Sequence, residues 1–170
     1  MSHQALKLLV ITMGFIIILM TGLLVGLLLF KHGDSDITQV PAFGMEELSS
    51  ADMKPRAEQS LYAINLFASW CKPCKAEMPH IAALSKAMNV YGIAVKDEPE
   101  KTKTFLKDNG NPYAKVGYDH AGIMPDSLGA SGVPATLIVN SEGAILYRFP
   151  GALNAQIIQQ NILPLMDGPN

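Results

Sequence analysis

Between Leu8 and Phe30 the chain reads LLVITMGFIIILMTGLLVGLLLF, 23 residues without a charge. As a helix this run would reach roughly 35 Å, enough to cross the hydrocarbon core of a bilayer. A helix buried in a soluble domain would show a polar stripe, and here only Thr12, Thr21 and three glycines break the apolar surface. A cleaved secretory signal has a shorter apolar region and a small-residue exit, whereas this run ends LLLF-KHGDSD, so retention as an anchor is expected. Lys7 and the amino terminus flank one side and Lys31 the other, which leans only slightly towards an N-terminus inside. The expected organisation is a cytoplasmic N-terminus at 1–7, a transmembrane anchor at 8–30, a polar tether at 31–39 and one folded domain at 40–170. That domain would face the outer side of the membrane, where a cysteine pair can persist as a disulfide.

The domain carries no internal repeat. With 13 Lys and Arg against 15 Asp and Glu, both signs interspersed, nothing resembles a phosphate-tracking surface, and nucleic acid is excluded as the main partner. Three apolar runs rich in branched and aromatic residues read as buried strands: LYAINLFA from Leu61, VYGIAVK from Val90 and ATLIVN from Ala135. The turn sequence Asn140-Ser141-Glu142-Gly143 joins the last of these to AILYRF, predicting an antiparallel hairpin. Helical patterns fill Pro73 to Met88, roughly Pro99 to Asp108, and Asn154 to about Met166, with Asn154 as N-cap. Alternating strands and helices closed by a hairpin and a helix predict an α/β fold with parallel and antiparallel strands in one sheet.

The only two cysteines lie in Trp70-Cys71-Lys72-Pro73-Cys74-Lys75, after a strand pattern and at the opening of a helix. Free N–H groups and the positive end of the helix dipole at that position stabilise a thiolate, so Cys71 is expected to attack and Cys74, one turn inside, to resolve. Pro73 suits a first helical turn, having no N–H to lose. Trp70 could shield the sulfur and offer a docking surface, or could be an ordinary core residue. A static disulfide is a weak alternative, because so small a loop restricts the unfolded chain little. Two thiolates are half a zinc shell, but there is no second such pair, and His3, His32, His80 and His120 show no paired-ligand spacing; neither a metal nor another cofactor is expected. Glu77, three residues past Cys74, could exchange a proton with the resolving sulfur, or could simply face solvent. Pro79 falls inside the helical pattern and should kink it. Pro134 leads into a strand, where a proline can leave a backbone edge free for another peptide; base rates alone make its peptide bond trans.

Asn65 to Pro79, NLFASWCKPCKAEMP, resembles the thioredoxin superfamily, and within it the membrane-anchored reductases of cytochrome c maturation (CcmG/DsbE type, in the TlpA/ResA-like branch). Val95-Lys96-Asp97, FLKDNGNPYAKVGYD from Phe105, Gly132-Val133-Pro134, and Tyr147-Arg148 followed by Gly151 and Leu153 extend the likeness over most of residues 40 to 155. The resemblance implies a thioredoxin fold, a redox-active Cys71–Cys74 disulfide, an acid/base role for Glu77, and Pro134 as a cis-proline facing Cys71. It also implies a place in the bacterial inner membrane with the domain in the periplasm. The substrate would be the haem-binding cysteines of apocytochrome c or a partner thiol protein, and a membrane electron-donor protein would re-reduce the enzyme. Two positions depart from the pattern: Ala135 stands where Pro-Glu-Thr-Phe would place a glutamate, and Ser131 where an aromatic residue is usual. Both adjoin the expected partner groove. Other readings are a general periplasmic thioredoxin-like reductase or oxidant and, from a different class, an apocytochrome-holding chaperone or metal-binding module.

Overall fold

The structure is a computed structural model and describes residues 4, 7, 12–22, 37–45, 47–57 and 59–166. Met1–Asp36 and Ile37–Asn170 are separate compact units. In the first, residues 12–22 are helical; the rest of the expected 8–30 anchor, and the tether up to residue 36, lie outside the described residues. Among the described residues no helix is long and apolar enough to cross a membrane.

The second unit is built on a five-stranded sheet. In chain order it contains β1 (Gly44–Met45), β2 (Leu48–Ser49), β3 (Leu61–Phe67), α1 (Lys72–Ala87), β4 (Asn89–Val95), α2 (Pro99–Asn109), β5 (Lys115–Asp119), α3 (Met124–Ser127), β6 (Ala135–Asn140) and β7 (Ile145–Pro150). The C-terminal helix α4 joins Ala155–Ile157, a π-helical turn Ile158–Ile162 and Leu163–Met166. Spatial order in the sheet is β5-β4-β3-β6-β7. Strands β3, β4 and β5 run parallel, while β6 is antiparallel to both β3 and β7. The mixed sheet is the one that the sequence predicts, with one strand more: β5, KVGYD, is short and mixes charge and glycine with its apolar residues, which hides it from a hydropathy reading.

Every residue of β3 is buried, because both sheet faces are covered. Side chains alternate along a strand, and β3 divides accordingly. Leu61, Ala63 and Phe67 join α1 residues Met78, Ile81 and Leu84, Phe105 and Leu106 of α2, and Ile158 and Ile162 of α4 in one apolar cluster. Tyr62, Ile64 and Leu66 join a second cluster with Leu48, Met124 and Leu128. Asn65 has the parity of the first set and is fully buried, a polar group placed on the α1 side of the sheet.

Helix α1 begins and ends one residue before the sequence pattern and continues through Pro79. Its C-terminus is closed from outside: Arg56 donates to the carbonyls of Lys86 and Ser85 at 3.1 and 2.8 Å, and Gln59 Nε2 donates to that of Ala87. These serve carbonyls that have no partner within the helix. Asn154 caps α4 as expected, its side chain accepting from Ile157 N at 2.9 Å.

Candidate active site

Past Phe67 the chain turns through Ala68-Ser69-Trp70 and enters α1 with Cys71 as its N-cap. Cys71 Sγ accepts a hydrogen bond from Cys74 N at 3.2 Å, the place a serine or aspartate oxygen usually takes. The two cysteines form a disulfide; Cys71 is 5% exposed and Cys74 fully buried. The outer sulfur therefore sits where the first-turn N–H groups converge, an arrangement that favours negative charge on it. Pro73 occupies the first turn, where it removes no intrahelical hydrogen bond.

The turn before Cys71 is held by one buried carboxylate. Asp97 accepts from Ser69 N at 2.6 Å and Ser69 Oγ at 2.8 Å, and also from Glu98 N at 2.9 Å and Thr102 Oγ1 at 3.0 Å. Trp70 next door is 61% exposed, which rules out core packing, and its Nε1 donates to Lys96 O at 3.1 Å.

Beneath the disulfide lies a closed polar network. Glu77 is 1% exposed, so it does not face solvent. Its Oε1 accepts from Asn65 Nδ2 at 3.0 Å and its Oε2 from Leu153 N at 2.8 Å. Burial pushes its pKa up to about 7, against the opposing effect of those two donors. Asn65 Nδ2 also faces Thr136 Oγ1 at 3.1 Å and Ala135 O at 3.3 Å, while Asn65 Oδ1 accepts from Tyr113 OH at 2.7 Å. The amide has one consistent orientation, since reversing it would aim its oxygen at the Ala135 carbonyl and the Glu77 carboxylate. Burial first, and the nearby Glu77 charge second, raise the Tyr113 hydroxyl well above its ordinary pKa, keeping it a donor.

Tyr113 reaches Asn65 only because Gly92 lies between them in the sheet. Gly92 pairs with Asn65 across β3 and β4, and a Cβ there would stand 2.9 Å from Phe67 Cε1 and from Tyr113 Cδ2. The Tyr113 ring fills that space, stacked on Phe67 with centroids 4.8 Å apart.

The redoxin family profile matches residues 38–162. HelX of Rhodobacter capsulatus, a thiol:disulfide interchange protein, is 33% identical over 137 residues, 76% of this chain and 76% of HelX. The thiol:disulfide interchange protein DsbE of Escherichia coli K12 is 34% identical over 135 residues, 75% of this chain and 72% of DsbE. The chain belongs to the redoxin family, in its thiol:disulfide interchange branch. Among solved structures, a DsbE-type protein of Chlorobium tepidum covers 76% of this chain and 96% of its own at TM-score 0.62 and 22% identity. A secreted thiol-disulfide isomerase of Corynebacterium glutamicum covers 76% and 86% at TM-score 0.64 and 22% identity. These two likenesses show the thioredoxin-like fold.

Of the residues singled out in sequence, Trp70, Cys71, Pro73, Cys74 and Glu77 are gathered at the start of α1. Pro134 precedes β6, and its peptide bond with Val133 is cis, against the base rate. Strand β6 is paired on both sides and Pro134 O is taken by Gly151 N at 2.9 Å, so the strand itself leaves no free edge. His80 is half-buried on α1, beside an apolar cleft it shares with Leu84, Ile158 and Leu163. Hydropathy reading assigned no role to Asn65, Tyr113, Asp97 or Leu153, although the family resemblance runs through all four and places Asn65 where ordinary thioredoxin has a buried acid. An asparagine in an otherwise apolar strand was the available signal for the first; for the amide of Leu153 no side-chain pattern exists.

Proposed function

We propose that this protein is a membrane-anchored dithiol reductase acting outside the bacterial inner membrane. Its task on this reading is to reduce the disulfide between haem-binding cysteines of apocytochrome c, or of a partner thiol protein, in cytochrome c maturation. The observation that carries it is a Cys-x-x-Cys pair opening a helix, with a buried acid titrating near neutrality one turn below. The names of HelX and DsbE support interchange chemistry, and the 8–30 run supports an anchor that leaves residues 40–170 in the periplasm.

The thiolate of reduced Cys71 attacks one sulfur of the substrate disulfide, and the other sulfur leaves as a thiolate. Cys74 gives its proton to Glu77 and attacks Cys71 Sγ, so that the Cys71–Cys74 bond forms and the second substrate sulfur departs. Two electrons pass from the dithiol to the substrate, and no cofactor takes part. Glu77 suits the exchange because it lies three residues past Cys74 on one helix face and holds or releases a proton near pH 7. Asn65 and Leu153 fix its carboxyl. Trp70, Pro73 and Pro134 shape the approach to Cys71. A membrane electron-donor protein returns the Cys71–Cys74 disulfide to the dithiol.

Replacing Cys74 by Ala is the test. The variant should accumulate mixed disulfides through Cys71 with its targets, apocytochrome c among them. Binding of the same targets with no covalent species would overturn exchange in favour of a holding role. A reduction potential close to that of strong disulfide donors would overturn the reductive direction.

A further inference from the structure

We propose that Tyr113 is a positioning residue for the exchange: its hydroxyl decides which end of the Asn65 amide meets Glu77, and so how readily Glu77 takes the Cys74 proton. The inference rests on the exchange reading above, in which Glu77 is that proton's acceptor. Tyr113 OH donates to Asn65 Oδ1 at 2.7 Å, and Met78 Sδ is its other polar neighbour at 3.8 Å. From the far end of the same amide, Asn65 Nδ2 donates to Glu77 Oε1 at 3.0 Å, with Thr136 Oγ1 at 3.1 Å and Ala135 O at 3.3 Å. Phenol, amide and carboxyl thus form one chain of hydrogen bonds, and all three residues are buried.

The hydroxyl is aimed by the backbone on either side of it. Tyr113 N donates to Asn111 Oδ1 at 3.1 Å, and Ala114 N, next in the chain, donates to Val90 O at 2.8 Å. The ring lies over Gly92 and against Phe67, contacts that a phenylalanine would keep. The oxygen is therefore the part of the side chain that packing does not require, and burying it carries a cost that its bond to Asn65 offsets.

A phenolic O–H needs an acceptor, and of the two ends of an amide only the oxygen is one. With Oδ1 held by Tyr113, the Asn65 N–H groups point towards Glu77 and favour its ionised form. Without the hydroxyl, the reversed amide becomes competitive: its oxygen can accept from protonated Glu77 and from the Thr136 hydroxyl, which favours the neutral form. Bonds in a buried chain also polarise one another, so losing the first weakens the second. Both effects make Glu77 keep its proton to higher pH. Of the side chains that share this chain of bonds with Glu77, Tyr113 is the one that titrates. On α1 the nearest titratable groups are the cysteine pair, the exposed Lys75 and His80, which lies beside the cleft with α4. Burial, Leu153 N and Asn65 are the causes of the Glu77 shift, with no charged side chain among them.

The test mixes the reduced full-length chain, in a neutral detergent, with the chromogenic disulfide of thionitrobenzoate. The Cys71 thiolate attacks one sulfur and the first thionitrobenzoate leaves; Cys74 then gives its proton to Glu77, attacks Cys71 Sγ and releases the second. The second, concentration-independent phase of absorbance therefore follows the step in which Glu77 acts. Its rate in the native chain should rise with an inflection at about pH 7. In Tyr113→Phe that inflection should move up by about one pH unit, as expected for weakening one hydrogen bond to a charged group, with the rate above it within about twofold of native. Asn65→Leu should move the inflection up by itself, and adding Tyr113→Phe to it should move it no further. A Tyr113→Phe profile that coincides with the native one, or an equal second shift on the Asn65→Leu background, overturns the positioning role and leaves exchange standing. If Tyr113→Phe does not fold, NMR of the tyrosine ring carbons in the native chain decides: the Tyr113 resonance should step at the pH of the inflection and lose that step in Glu77→Gln, and a resonance that does not move overturns the role. An inflection that survives Glu77→Gln overturns Glu77 as acceptor, and the positioning role with it. Absence of the second phase overturns the exchange reading itself.

Discussion

Glu77→Gln separates the buried acid's titration from its packing. A carboxyl moved from 4.5 to about 7 by burial prefers its protonated form in the folded protein by about 3 kcal/mol, at roughly 1.4 kcal/mol per pH unit. Between those two values the folded chain binds more protons than the unfolded one. Stability from this group is therefore fully present below pH 4.5, declines as pH rises through the window, and is gone above pH 7. The glutamine variant has no such slope. It has a constant offset instead, because an amide offers one acceptor oxygen where the carboxylate offers two. Either Asn65 Nδ2 or Leu153 N, which now donate to separate oxygens, is left facing an NH2 group, at about 1–3 kcal/mol. Urea unfolding of the oxidised proteins from pH 4.5 to 8 gives both quantities. The stability advantage of the native chain over Glu77→Gln should shrink by about 3 kcal/mol across the range. A difference constant to within about 0.5 kcal/mol would show that Glu77 titrates as an ordinary carboxyl, and would remove the basis for a proton exchange with Cys74.

Tyr113→Phe takes away the donor at 2.7 Å from Asn65 Oδ1 and should cost about 1–2 kcal/mol in urea unfolding, the cost of a buried acceptor left bare; an unchanged midpoint would mean that the hydroxyl does not anchor Asn65. Gly92→Ala sets a methyl 2.9 Å from Phe67 Cε1 and Tyr113 Cδ2 and should destabilise by about 1–3 kcal/mol, with altered near-ultraviolet circular dichroism from the displaced tyrosine. Asp97→Ala strands the Ser69 and Thr102 donors and should cost about 3 kcal/mol. Because Trp70 is the one tryptophan, its fluorescence anisotropy should drop in the same variant, and full retention of both would refute a role in fixing the turn.

The redox centre was legible because local signals coincide there: two cysteines at helical spacing, a proline suited to a first turn, and a preceding buried strand. The buried strands were legible for a similar reason, since runs such as Leu61–Phe67, covered on both faces, read as unbroken apolar sequence. Glu77 could not be settled in that way. Periodicity places it on the face of Cys74, but whether that face is wet depends on β3 and on the chain around Leu153, which come from opposite ends of the domain. Asn65, Tyr113 and Leu153 meet at Glu77 only after β3, β4 and β6 have paired, so no window of sequence contains them together. The π-helical turn in α4 and the cis bond before Pro134 are likewise settled by tertiary packing rather than by local preference.

Two sets of hydrogen bonds lie around the disulfide. Glu77, Asn65, Thr136, Tyr113 and Leu153 share hydrogen bonds with one another, while Ser69 is held by Asp97, Trp70 by the Lys96 carbonyl and Ile123 by Asp119. A substitution at Trp70 or Ile123 therefore removes no hydrogen bond of the proton site below. The departure at Ala135 fits that division. Its side chain is 1% exposed and belongs to the apolar cluster on the sheet face away from α1, while its carbonyl still serves Asn65 at 3.3 Å. The resembled pattern has a carboxylate at this position, next to the cis-proline. Its loss leaves the network intact through the backbone and removes a negative charge from the sequence beside Pro134.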